Sequence, residues 1–455
     1  MITGKTLQEW GYTPGPWFRD ALAEAGRLTS LGVEPDTIRE RLARFAPAAP
    51  VYQTRRDRDT LPFTINLETD TPDEHANSAA VAEHMAELMR VPTIKAGAVM
   101  PDACPAGSAK GTIPVGGVVA CENAIHPGFH SADVCCSMAI TVMPRTDPKT
   151  VLDLGMRLTH FGPGGRPHHA DVAMSADLIE RILANPITAP LIHHAHQHLA
   201  TQGDGNHFFY TGRLKSSGET ALVTHHGSRG FGARVYKAGM RIAEAMTRKI
   251  APSVPKHQTW IVADSQEGQD YWEALQICRE WTKQNHFAIH NMVTAATGSP
   301  SGRFWNEHNF VFQKSDGLFY HAKGATPAFP NFSADEIGLT LIPMNMAEPI
   351  LIARGLNAER GLGFAPHGAG RNLSRTGYLK RLGEERPVAG VDARWFSGKE
   401  DMSELPGAYK DAASVRRQIA TFGLAEIVDE VLPYGCIMAG EIDWRAAGKE
   451  LGDAA

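Results

Sequence analysis

Short apolar runs cut by glycine and proline fill the stretch from Ile94 to Ile140, and long helical periodicities follow them in no regular alternation. That irregular order narrows the fold more than any other feature. Val115-Gly116-Gly117-Val118-Val119-Ala120 and Met138-Ala139-Ile140-Thr141-Val142 have the length and β-branched content of buried strands. Ala221 to Thr224 reads as a short strand ending at His225, and Phe310 to His321 as a hairpin turning at Ser315-Asp316-Gly317. Helical spacing marks 177–200, split near Pro186, then Arg234 to Lys249 and Tyr271 to Thr294. A doubly wound sheet needs strand and helix to alternate, so this order predicts an α+β fold. With 43% apolar residues in 455, the chain can bury a large core.

The N-terminal part is a different texture. Residues 14–46 show two helical stretches with a break from Gly32 to Asp36, and residues 1–60 read as a helical extension. Met1-Ile2-Thr3-Gly4-Lys5 leads into polar sequence rather than a secretory signal, and no stretch of about 18 apolar residues is present. Six cysteines at 104, 121, 135, 136, 278 and 436 form no disulfide framework in a chain this long. The expectation is a cytoplasmic protein without a membrane partner. Net charge is −5, so any contact with nucleic acid must rest on local clusters such as Arg371/Arg375, Lys380/Arg381 or Arg55/Arg56/Arg58.

Chemistry concentrates at His367-Gly368-Ala369-Gly370-Arg371-Asn372-Leu373-Ser374-Arg375. Glycines let backbone N–H groups approach an anion, and arginines bind phosphate oxygens through paired donors. A histidine in that setting can attack phosphorus and carry a nucleotide covalently. Three further histidine segments are Gly203-Asp204-Gly205-Asn206-His207-Phe208, His225-His226-Gly227-Ser228-Arg229-Gly230 and Glu307-His308-Asn309. Upstream, Asp133 and Cys136 are three residues apart and can face one side of a turn.

These motifs resemble, in order from Met100-Pro101-Asp102 to about Gly440, the RtcB family of GTP-dependent RNA ligases; Lys323-Gly324-Ala325-Thr326-Pro327-Ala328 and Ala408-Tyr409-Lys410-Asp411 belong to the same series. The resemblance implies one catalytic domain over 61–445, with mixed sheets around a metal and nucleotide cleft, and a tail at 446–455. It implies Asp133, Cys136, His207, His225 and His308 as metal ligands, a set suited to a transition metal: Mn²⁺ in the family, with Zn²⁺ or Co²⁺ as competitors. His367 takes the position of the guanylylated nucleophile, with Asp102 to orient it and Arg371 and Arg229 beside the reacting phosphates. Asn206, Lys323, Asn345, Gly368, Ala369, Gly370 and Tyr409 take positions around GTP. The implied partner is RNA with broken tRNA or ribosomal RNA ends, and the implied reaction joins a 3′-phosphate or 2′,3′-cyclic phosphate to a 5′-hydroxyl.

The chain departs from the family pattern around the base. Cys104 stands where a histidine is common, Tyr210 where a glutamate is usual, Ile350 at a serine position and Met438 at a lysine position; the loop Pro343-Met344-Asn345-Met346-Ala347 is also rewritten. Weakened guanine selectivity follows as an expectation. Two rival readings remain: a nucleotidyltransferase or phosphodiesterase using another nucleotide, and a non-catalytic RNA-binding paralog. His193-His194-Ala195-His196-Gln197-His198 is read as a helical face rather than a metal site, His168-His169 as uninformative, and Cys135 as packing.

Overall fold

A computed structural model describes every residue except Met1, Thr13, Pro16, 47–51, Ser108, 168–170, 383–389 and 443–455. His168-His169 and the tail at 446–455 therefore lie outside the described residues. The chain divides into two compact units, Met1–Tyr52 and Gln53–Ala455. In the first, helices Gly4–Glu9, Phe18–Ser30 and Pro35–Leu42 close over Leu7, Ala21, Ala25, Leu28, Ile38 and Leu42. Thr3 and Thr6 cap the first helix reciprocally, satisfying backbone N–H groups that a helix start leaves open.

The larger unit has the mixed α+β architecture that the irregular element order predicts. One sheet has five strands in the order Thr64–Ile65, Ile94–Cys104, Val115–Cys121, Phe319–Lys323, Asn309–Gln313. The last two form the expected hairpin. A second, eight-stranded sheet runs Leu339–Pro343, Ile350–Gly355, Ala425–Met438, Phe208–Leu214, Thr220–His226, Ser137–Met143, Gly302–Glu307, with Asp392–Trp395 parallel to Ala425–Met438. Two ribbons complete the sheets: Ala325–Pro327 with Phe364–Pro366, and Ala124–Ile125 with Ile261–Val262.

Register in the eight-stranded sheet lines up the site. Phe208 opposes His225, Met138 opposes His225, and Ser137 opposes both His226 and Glu307. Four neighbouring strands therefore bring His207, His225, Cys136 and His308 to one end of the sheet, each at or next to a strand terminus. Helix Gln266–Thr297 packs beneath these strands and buries Tyr271 and Trp281, each burial worth about 1.5–3 kcal/mol. It also anchors the strands through polar contacts. His286 bonds Thr224 Oγ1 at 2.7 Å and Ser137 Oγ at 3.0 Å, and His290 bonds Thr141 Oγ1 at 2.7 Å and Thr224 Oγ1 at 2.8 Å. Burial keeps both imidazoles well below the usual histidine range, so they serve as neutral hydrogen-bonding struts.

Among the described residues, no helix is long and apolar enough to cross a membrane.

Candidate active site

The turn from Asp133 to Cys136 precedes strand Ser137–Met143, and Cys136 N–H donates to Asp133 O at 3.2 Å. Cys135 between them adopts φ 58°, a left-handed conformation that side chains resist, and its thiol is fully buried. Next to this turn, Gly227 has no room for a side chain: a Cβ there would lie 1.8 Å from Asp133 Oδ1. That close approach explains why HHGSRG carries glycine after its histidines.

Cys136, His207 and His225 form a buried cluster whose donor atoms lie within 4.8 Å of one another. Cys136 Sγ is 3.4 Å from His207 Nε2 and 3.2 Å from His225 Nε2. Asp133 Oδ2 joins on one side, 3.1 Å from His207 Nε2, and His308 Nε2 on the other, 3.2 Å from His225 Nε2. Bonds of about 2.0–2.3 Å in tetrahedral geometry separate neighbouring ligands by roughly 3.3–3.8 Å, close to these spacings. His225 Nδ1 donates to Asn206 O at 3.1 Å, which leaves the Nε2 lone pair pointing at His308 Nε2 and the thiol. Burial holds His225 at about 3 and His308 well below the usual range, so both are neutral. The bare His225 Nε2 therefore offers its lone pair to a cation placed between it, His308 and the thiol. The Cys136 thiol is pushed up by burial and by the Asp133 charge, as expected of a thiolate that forms only beside a metal. The donor set fits a transition metal, with Cys136 placed between an Asp133/His207 pair and a His225/His308 pair.

His367 follows ribbon strand Phe364–Pro366 and packs 4.9 Å from the His308 ring. Its Nδ1 donates to Asp102 Oδ2 at 2.5 Å, and its backbone N–H donates to the same oxygen at 3.1 Å. Asp102 is fully buried. The pairing fixes the tautomer, with Nε2 carrying the lone pair; among the described residues Nε2 has no hydrogen-bond partner. Gly370, at φ 72°, passes so close to Asp102 that a Cβ would sit 1.9 Å from its backbone oxygen. Lys410 ties down the same strand by donating to Pro101 O at 3.0 Å and Ala103 O at 2.8 Å.

A cavity of about 190 Å³ opens beside His367. His225, Asn206, Asn345 and Gly368 to Gly370 line its polar side. Phe208, Tyr210, Met344, Met346, Ile350 and Met438 make an apolar side, and Arg371, Glu404 and Tyr409 also line it. Tyr210 turns its hydroxyl away, to Val431 O at 3.1 Å, and Asn345 spends its side-chain oxygen on Ala347 N–H at 2.9 Å.

One wall rests on Glu404, which sequence reasoning missed. Its buried carboxylate accepts from Arg371 at 2.8 Å and from the Tyr409 hydroxyl, and it pairs with Arg375. Arg371 also donates to Ser403 O at 2.7 Å and lies over the Tyr409 ring, 4.6 Å from its centroid. Nothing in the spacing of Glu404 ties it to residue 371; only the fold does.

Arg229 and Lys323 sit differently. Arg229 adopts φ 56°, donates to Thr201 Oγ1 at 3.2 Å and to Gly162 O, and lines an open cleft with Asp133, Asn206 and His207. Asn206 borders both the cleft and the cavity. Lys323 is drawn down to about 8 by burial. Its neighbour Gly324 donates to Asn309 Oδ1 at 2.7 Å and comes close to His367. The histidines of 193–198 lie on and after the short helix Ile192–Gln197, and none of them belongs to the donor cluster.

The family model described as tRNA-splicing ligase RtcB matches residues 146–439, nearly two thirds of the chain. The chain belongs to the RtcB family. Among RtcB relatives, the tRNA-splicing ligase RtcB of Thermococcus kodakarensis is 28% identical over 324 residues, 61% of this chain and 64% of that protein. The Pyrococcus furiosus protein of the same name is 27% identical over 283 residues, 52% of this chain and 29% of its own length. The RNA-splicing ligase RtcB of Escherichia coli K12 is 26% identical over 378 residues, 75% of this chain and 89% of that protein. The chain thus spans less than two thirds of the two archaeal relatives' lengths.

Proposed function

We propose that this chain is an RNA ligase that joins 3′-phosphate ends to 5′-hydroxyl ends through a nucleotide carried on His367, in the repair of broken tRNA or ribosomal RNA. The observation that carries the reading is the Asp102–His367 pair, its free Nε2 standing between the buried donor cluster and the cavity. Relatives named as tRNA-splicing ligases support RNA as the substrate.

In the first step His367 Nε2 attacks the α-phosphorus of GTP; the N–P bond forms as the bond to pyrophosphate breaks. Asp102 keeps the proton on Nδ1 and stabilises the charge the ring acquires. An oxygen of the RNA 3′-phosphate then attacks the same phosphorus and releases the histidine. A 2′,3′-cyclic phosphate is first opened by water to the 3′-phosphate. Finally the 5′-hydroxyl oxygen attacks the RNA phosphorus, loses its proton, and GMP leaves. One or two Mn²⁺ ions held by Asp133, Cys136, His207, His225 and His308 would supply Lewis-acid stabilisation of charge on the transferring phosphate; Zn²⁺ and Co²⁺ suit the same donors.

The chain's own residues divide the remaining work. Asn206 and Lys323 contact phosphate, and the Gly368-Ala369-Gly370 backbone lets it approach. Arg229 faces the RNA side of the cleft. Tyr409 and Asn345 border the base. Arg371, its donors taken by Glu404, Ser403 and Tyr409, positions that wall. The apolar lining favours one variant of this reading, in which nucleotides other than GTP are also accepted.

The test is mass spectrometry of the protein after incubation with Mn²⁺ and each nucleoside triphosphate. The reading expects a nucleotide adduct, acid-labile and alkali-stable, that His367→Ala abolishes while retaining metal. An adduct mapped to Lys323 would assign the protein to lysine-based nucleotidyl transfer. No adduct under any metal or triphosphate would point to the non-catalytic paralog.

A further inference from the structure

Helix Arg229–Ile250 starts in the cleft and runs out of it. Its first turns contribute Arg229 and Ala233 to the cleft wall beside Asp133 and His207. From the next residue onward, positions 234, 237, 241, 245 and 248 are exposed. Steps of three and four put them on one face. Four of these five are cations, Arg234, Lys237, Arg241 and Arg248, and the fifth is Ala245. At 1.5 Å per residue the four charges span about 21 Å.

Among the described residues none of the four is neutralised by an Asp or Glu; Arg234 donates only to Gly230 O within its own helix. The chain as a whole carries −5, so the stripe runs against the background charge. Beside it lies a groove lined by Arg234, Lys237 and Arg241 together with Pro190, Leu191 and Tyr236. The acidic residue on the groove, Glu244, is already held by Lys256 at 2.8 Å.

We propose that this stripe and groove carry the single-stranded RNA flank as it leaves the cleft. The proposal rests on the reading of the cleft as the site of RNA ends. Cations spaced along a groove track phosphates, and aromatic and apolar lining residues accept base faces without reading sequence. An acidic polypeptide would satisfy the cations too. It gives no reason for the stripe to begin at the residue after the cleft wall.

The test compares the full chain with the variant R234Q/K237Q/R241Q/R248Q by fluorescence anisotropy on labelled single-stranded RNA of about 20 nucleotides over a range of salt. Losing four phosphate contacts should weaken binding by tenfold or more at moderate salt and flatten the slope of log affinity against log salt by about 3, at roughly 0.7 per contact. R234K/R241K should bind as the wild type does. His367 labelling by α-labelled GTP, measured on the same samples, separates the two readings. Stripe-dependent RNA affinity supports the proposal even if no adduct forms, a result that would sink the proposed function instead. An adduct-forming wild type with RNA affinity equal to the variant's overturns the stripe alone. Displacement of the RNA by polyglutamate as effectively as by unlabelled RNA of equal charge would overturn it in favour of an acidic polypeptide.

Discussion

Asp102→Asn isolates what the carboxylate does for His367. The wild-type Oδ2 accepts from both the imidazole Nδ1, at 2.5 Å, and the His367 backbone N–H, at 3.1 Å. Because two donors converge on that spot, the substituted amide is held with its oxygen toward His367. The tautomer therefore persists, and the variant loses charge assistance rather than orientation. A hydrogen bond to a charged group contributes about 1.5–3 kcal/mol, and each 1.36 kcal/mol is tenfold in rate, so adduct formation should slow roughly 10- to 150-fold. Metal content should not change, since Asp102 lies outside the donor cluster. The assay is single-turnover labelling of the protein by α-labelled GTP, with thermal unfolding as the control for stability. An unchanged rate would refute the role given to Asp102. A fall near 10⁴-fold would refute the argument for a held amide, because a loss of that size is what a flipped amide and a misplaced ring proton produce.

Glu404→Gln removes the carboxylate shared by Arg371, Arg375 and Tyr409; Arg375 is too exposed to add much, so urea unfolding should report a loss of about 3 kcal/mol, and a loss under about 1 would show the wall is held by packing instead. The cavity offers few side-chain donors to a base edge, so the ratio of kcat/KM for GTP over ATP should stay below about 100, and a ratio of 10⁴ or more would mean that backbone groups read guanine. Replacing His193, His194, His196 and His198 together by Gln should leave metal content, measured by elemental mass spectrometry, unchanged; metal loss from a folded variant would move the metal site to that helix.

Local chemistry was legible from sequence because it depends on neighbours along the chain. The Ser315-Asp316-Gly317 turn between alternating apolar runs specifies a hairpin, and the hairpin is there. The 3.6-residue periodicity located helices Arg229–Ile250 and Gln266–Thr297, although both extend beyond the periodic stretch because capping and packing carry a helix past its apolar signal. The motif order around His207, His225, His308 and His367 carried the family resemblance.

Other features belong to the tertiary structure alone. That His207, His225, Cys136 and His308 share one end of a sheet follows from the register of four strands that are far apart in sequence. The convergence of Arg371, Arg375 and Tyr409 on Glu404, and the struts from His286 and His290 to Thr224, join elements with no sequence spacing to reveal them. The physical reason is the same in each case. A turn or a helix is decided by a few adjacent residues, whereas the partner of a buried charge or a strand edge is decided by which surfaces the whole core brings together.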